Sequence, residues 1–123
     1  METMGLFRVI GRLTGPTGIS EDVELLVDTD ATLLVVPTHW PRDWSWSRGA
    51  LNVLIAGEHR ASWPVAEVRL ALDSAEVATP CFIAPSGPAL LGAVALESLF
   101  LAVDPVAKRL VPMEGFALAA TSR

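Results

Sequence analysis

Leu26-Val27-Asp28-Thr29-Asp30-Ala31-Thr32, with Leu33 to Val36 and then Pro37 directly behind it, decides how this chain is read. An acidic triplet stands between two apolar runs that are too short for helices and rich in β-branched residues. It therefore belongs to a turn between two strands. Upstream, Glu21 to Asp28 pairs as a hairpin with residues 6 to 13, Leu-Phe-Arg-Val-Ile-Gly-Arg-Leu, across the turn residues Thr14-Gly15-Pro16-Thr17-Gly18. Downstream, Thr32 to Val36 is a buried strand stopped by Pro37.

Working outward, the same punctuation recurs. Residues 39 to 49 carry Trp40, Trp44 and Trp46 among Pro, Ser, Arg and Asp with no period, and read as a loop or broken helix. A strand over Ala50 to Ile55, turn residues Ala56-Gly57-Glu58-His59 and an alternating strand over Val65 to Leu72 make a second hairpin. Asp73-Ser74-Ala75 turns the chain into a strand from Glu76 to Ala84, ended by Pro85-Ser86-Gly87-Pro88. The helical period appears once, over about residues 93–100, where Val94, Leu96 and Leu99 recur. Leu101 to Val103, a turn at Asp104-Pro105-Val106-Ala107-Lys108, and Arg109 to Pro112 close the pattern. Many short strands at regular turn spacing with one short helix predict an all-β, closed barrel-like fold, in one domain over residues 1–123.

Composition narrows the function. The chain has 123 residues, is 51% hydrophobic and 19% charged, and carries a net charge of -5. That acidity, with nine Lys and Arg scattered along the chain, leaves no basic face for phosphate and argues against a nucleic-acid partner. No apolar run is long enough to span a bilayer and no secretory leader opens the chain, so no membrane partner and a cytoplasmic location are expected. The lone Cys81, inside Cys81-Phe82-Ile83-Ala84, reads as a buried small hydrophobe.

Leu26-Val27-Asp28-Thr29 and Ala31-Thr32, together with the run to Val36-Pro37, resemble the retropepsin-like (retroviral-type) aspartic peptidases, whose signature is an apolar pair, Asp-Thr-Gly or Asp-Ser-Gly, then Ala or Ser and a second apolar strand. Asp30 stands where that family has Gly. The resemblance covers nearly the whole chain, since the bacterial single-domain members also read like Leu90-Leu91-Gly92, a short helix like Ala95-Leu96-Glu97-Ser98-Leu99, Leu101 to Pro105, and Arg109-Leu110-Val111-Pro112. It implies a retropepsin fold with a substrate-covering flap hairpin at about residues 50–72. It also implies an endopeptidase working as a homodimer on peptide or unfolded protein, without cofactor or metal. Asp28 of each copy would form the dyad and Thr29 would brace it, with Asp30 the third residue of the signature; Ala31, Ala56, Gly57 and Glu58 would meet substrate. The chemistry demands two copies, because two carboxyls must share a proton for one to activate water while the other polarises the scissile carbonyl.

Asp30 leaves two readings open. Pointed at the dyad, it would gather four carboxyls in the dimer and oppose activity. Turned outward, it would still have to fit the backbone conformation of the glycine it replaces. The alternative function is a dimeric peptide- or protein-binding module of the same fold that no longer cuts. Other features have plainer explanations. His39 and His59 are 20 residues apart without ligand-spaced partners, which disfavours zinc. Paired Asp28 and Asp30 also offer a hard cation the all-oxygen ligands it prefers. Glu97 reads as a solvated helix residue, Asp104-Pro105 as a turn, and the tryptophans, including Trp63, as core, dimer or groove residues.

Overall fold

The structure, a computed structural model, describes residues 7–37, 50–55 and 59–113. Nine strands and one helix follow in order: β1 Arg8–Thr14, β2 Ser20–Val27, β3 Leu34–Pro37, β4 Ala50–Ile55, β5 His59–Leu72, β6 Ala75–Ala84, β7 Ala89–Leu91, α1 Ala93–Ser98, β8 Leu101–Asp104 and β9 Arg109–Pro112. The main sheet has the order β1-β2-β7-β3-β6-β5-β4, and a further pairing of β1 with β5 closes six of these strands into a barrel. Closure removes the open edges that a half-apolar sheet would otherwise expose.

Alternation along each strand fills the barrel. On β1 and β2 the side chains of Leu13, Leu25 and Val27 turn inward while Arg8, Arg12, Asp22 and Glu24 stay outside. Leu34, Val36, Ala66, Val68, Leu70, Cys81, Ile83 and Leu91 complete the core, with Ala95, Leu96 and Leu99 of α1 packed against it. The outward charges pair across strands, Arg12 with Asp22 at 3.0 Å and Arg69 with Glu76 at 2.8 Å, both exposed and therefore worth little each.

One strand runs further than the sequence predicts. β5 begins at His59, six residues ahead of Val65, and its two halves have different neighbours: His59 to Pro64 pair with β4, and Val65 to Leu72 pair with β6. Pro64, opposite Ala50, reads in sequence as a strand breaker, but among the described residues β6 pairs with β5 only from Val65 onward, so no ladder bond is required of Pro64 on that side. Pro80 in β6 is tolerated for the same reason, because β3 joins β6 only from Cys81 onward. At the root of the β4–β5 hairpin, the Trp63 ring meets Phe82 edge-on, with centroids 6.0 Å apart. The helical signal resolves as α1, Ala93–Ser98, ending at a Phe100 whose φ is +57°. Beyond it β8 and β9 form a separate two-stranded sheet.

Candidate active site

Three short segments converge on Asp28. β2 and β7 run parallel with Val27 opposite Leu91, and β3 crosses β7 antiparallel at Val35 and Leu90. The Asp28–Leu33 connection therefore lies over the point where β7 gives way to α1. Its backbone is tied down there: Asp28 N–H donates to the Leu91 carbonyl at 3.1 Å, Ala93 N–H to the Ala31 carbonyl at 2.8 Å, and Val94 N–H to the Thr32 carbonyl at 2.9 Å. Ala31 N–H closes a turn onto the Asp28 carbonyl at 3.1 Å. Both polar groups of the Ala31 backbone are thus engaged in bracing the loop.

Gly92 makes this closeness possible. Its backbone is extended, with φ near -92°, so no unusual torsion requires glycine. Space does: a Cβ there would lie 2.4 Å from the Leu33 carbonyl oxygen and 2.7 Å from that of Ala31. The apolar-apolar-Gly sequence at 90–92 is the local condition for passing a strand end beneath the loop.

Within the loop the Asp28 side chain is half-buried, while Thr29 and Asp30 are exposed. The Asp28 carboxylate accepts the Asp30 N–H at 3.0 Å, which fixes its Oδ1 against the turn. This contact needs only a backbone amide at position 30, so aspartate supplies it as glycine would. Asp30 also has no left-handed backbone; among the described residues only Asp73, Phe100 and Lys108 of the non-glycines do. The conformational objection to Asp30 is thereby removed, and its exposed side chain is what remains of the departure from the signature.

Other expected site residues fall outside what the structure describes: Ala56, Gly57 and Glu58 at the hairpin tip, and His39, Trp40, Trp44 and Trp46 in the preceding segment. Among the described residues no group of three metal-ligating side chains occurs. A cavity of about 270 Å³ lies at the opposite end of the barrel, between the start of β2 at Glu21 and Asp22 and the turn at Gly87 and Pro88. It contains none of the Asp28 loop. Sequence reading did not single out Ala93 and Val94 as loop braces, since backbone donors leave no signature in side-chain type.

No family model and no curated protein sequence matches the chain. Solved structures do. The EIAV protease complexed with the inhibitor HBY-793 is 15% identical, with a TM-score of 0.62 over 76% of this chain and 88% of that one. The simian foamy virus (mac) protease in solution is 13% identical, with a TM-score of 0.55 over 74% of this chain and 92% of that one. At such identities the likeness speaks for architecture, and it agrees with the closed barrel: the chain has the all-β retropepsin-like fold of the retroviral proteases.

Proposed function

We propose that two copies of this chain form an aspartic endopeptidase with Asp28 of each copy at its centre. The observation that carries this reading is the Asp28 loop, a half-buried carboxylate held by Asp30 N–H inside a turn that β7 and α1 brace from below. Such rigidity suits a group that must hold its place while a proton moves. One chain offers one such carboxylate, and a two-fold axis supplies the second with the same geometry.

In the assembled site, one Asp28 takes a proton from water as the water oxygen attacks the scissile carbonyl carbon. The other gives its proton to the carbonyl oxygen, producing a neutral tetrahedral diol. Proton return to the nitrogen then releases amine and acid. Thr29 braces the paired loops. The β4–β5 hairpin, rooted by Trp63 on Phe82, serves as the flap that covers an extended peptide with its tip at Ala56, Gly57 and Glu58. Substrates are extended or unfolded polypeptides in the cytoplasm.

A second reading is favoured by Asp30, whose exposed carboxylate is foreign to the signature: the dimer binds peptides and does not cut them. An assay on an unstructured protein from acidic to neutral pH decides between the two. Cleavage by the wild type that is lost in Asp28→Asn supports the peptidase. Cleavage that appears only in Asp30→Gly supports the silent module.

A further inference from the structure

Several acidic side chains of this protein have polar partners. Asp22 has Arg12, Glu24 has Arg8 at 3.7 Å, Glu76 has Arg69, and the Asp104 carboxylate takes the N–H groups of Val106 and Ala107. Asp30 differs. It is exposed, its side chain forms no ion pair among the described residues, and its own N–H is committed to the Asp28 carboxylate. The backbone that carries the Asp30 carboxylate is therefore held in place, two residues from the group at the centre of the site.

We infer that Asp30 makes the site selective for peptides carrying lysine or arginine beside the bond held at Asp28. The inference rests on the reading that this site receives an extended peptide, cut or merely bound. A two-fold assembly presents two Asp30 carboxylates, one on each side of the axis, so a peptide threaded between them passes a negative group on either flank. A neutral residue there leaves each carboxylate uncompensated, and an acidic one adds repulsion. A cationic side chain supplies the partner that the described residues do not provide. Arginine can meet the carboxylate with two parallel N–H groups, whereas lysine brings a single point of charge. With two partly solvated pairs of ordinary strength, the expected discrimination is about three- to tenfold over a neutral residue.

The test uses three peptides identical except at the residues flanking the central bond, which are Lys, Gln or Glu. kcat/KM is measured with the wild type, and binding is measured by fluorescence anisotropy with Asp28→Asn, which cannot turn over. The expected result is a Lys over Gln preference of about three- to tenfold in either readout, shrinking to under about twofold in Asp30→Asn and weakening as salt is raised. Glu21→Gln, at the far end of the barrel, removes the same charge and should keep the preference. This separates a local contact from the general attraction of an acidic protein. Equal handling of the three peptides, or a preference that survives Asp30→Asn, overturns the inference. Cleavage without preference leaves the peptidase reading standing and removes this one. Lys-selective binding without cleavage does the reverse. Failure to bind or cut any of the peptides overturns both.

Discussion

Replacing Gly92 by alanine adds one methyl group where two backbone carbonyls already stand. The new Cβ would sit 2.4 Å from the Leu33 oxygen, 2.7 Å from the Ala31 oxygen and 2.8 Å from the Leu33 carbonyl carbon, against an ordinary contact of 3.4 Å or more. None of these atoms can swing aside as a side-chain tip could, so the Asp28–Leu33 loop and the start of α1 must separate by about 1 Å. That motion strains or breaks the Ala93 to Ala31 and Val94 to Thr32 hydrogen bonds. Overpacking contributes about 1–3 kcal/mol and each weakened bond about 0.5–1.5 kcal/mol, while the stiffer unfolded chain returns about 0.4–1 kcal/mol. The net expectation is a loss of about 2–4 kcal/mol, a large share of the ~5–15 kcal/mol that holds a domain folded. Urea titrations followed by tryptophan fluorescence read this as a lower midpoint at unchanged slope. Gly15→Ala is the companion variant, because a Cβ at Gly15 meets nothing within 4 Å. If Gly92→Ala lies within about 0.5 kcal/mol of Gly15→Ala, the close passage beneath the loop is not a steric constraint and the account of the braced site fails.

Two further outcomes follow from single residues. Cys81 is fully buried, and burial pushes its thiol from 9.0 up to about 12 against a smaller opposing contribution from the backbone of Ala66. Since the folded value is the higher one, its contribution is complete below pH 9 and declines as the pH rises toward 12, as the unfolded chain ionises first. Roughly 1.4 kcal/mol should be gone by about pH 10. Cys81→Ala should lack this alkaline decline, and an equal decline in both proteins would refute the assignment. Phe100 holds a φ of +57° with 68% of its surface exposed, so Phe100→Gly should raise the unfolding free energy by about 0.5–1 kcal/mol, read as a higher urea midpoint, through relief of a strained helix end. Destabilisation beyond about 1 kcal/mol would mean that the ring is covered in solution and contributes packing.

Most of the strand pattern could be read from the sequence because period-two alternation and turn residues are local signals. β1, β2, β6 and the β8–β9 hairpin all fall within a residue or two of their expected places. The start of β5 was hidden because Pro64 counts as a breaker unless one knows that β6 requires no ladder bond of it, which depends on where that pairing begins. The three-residue β7 was hidden for a related reason: parallel pairing with β2 joins distant segments and leaves no local trace. In the site, the Asp28 triplet announces itself by its polar position between apolar runs. Its φ and hydrogen bonds do not, and those are what show that Asp30 fits the turn without left-handed backbone.

The bracing of the Asp28 loop also sets the order in which the molecule can be built. Among the described residues, every long-range backbone hydrogen bond to that loop comes from Leu91, Ala93 or Val94, some sixty residues further along the chain. β3 likewise finds its neighbours only in β6 and β7, and β1 meets β5 only once residues 69 to 71 exist. A chain emerging from the ribosome therefore carries its carboxylate early and has no rigid place for it until β7, the last of the six barrel strands in the chain, has been made. The barrel therefore closes and the Asp28 carboxylate finds its place together, as the outcome of one late set of contacts.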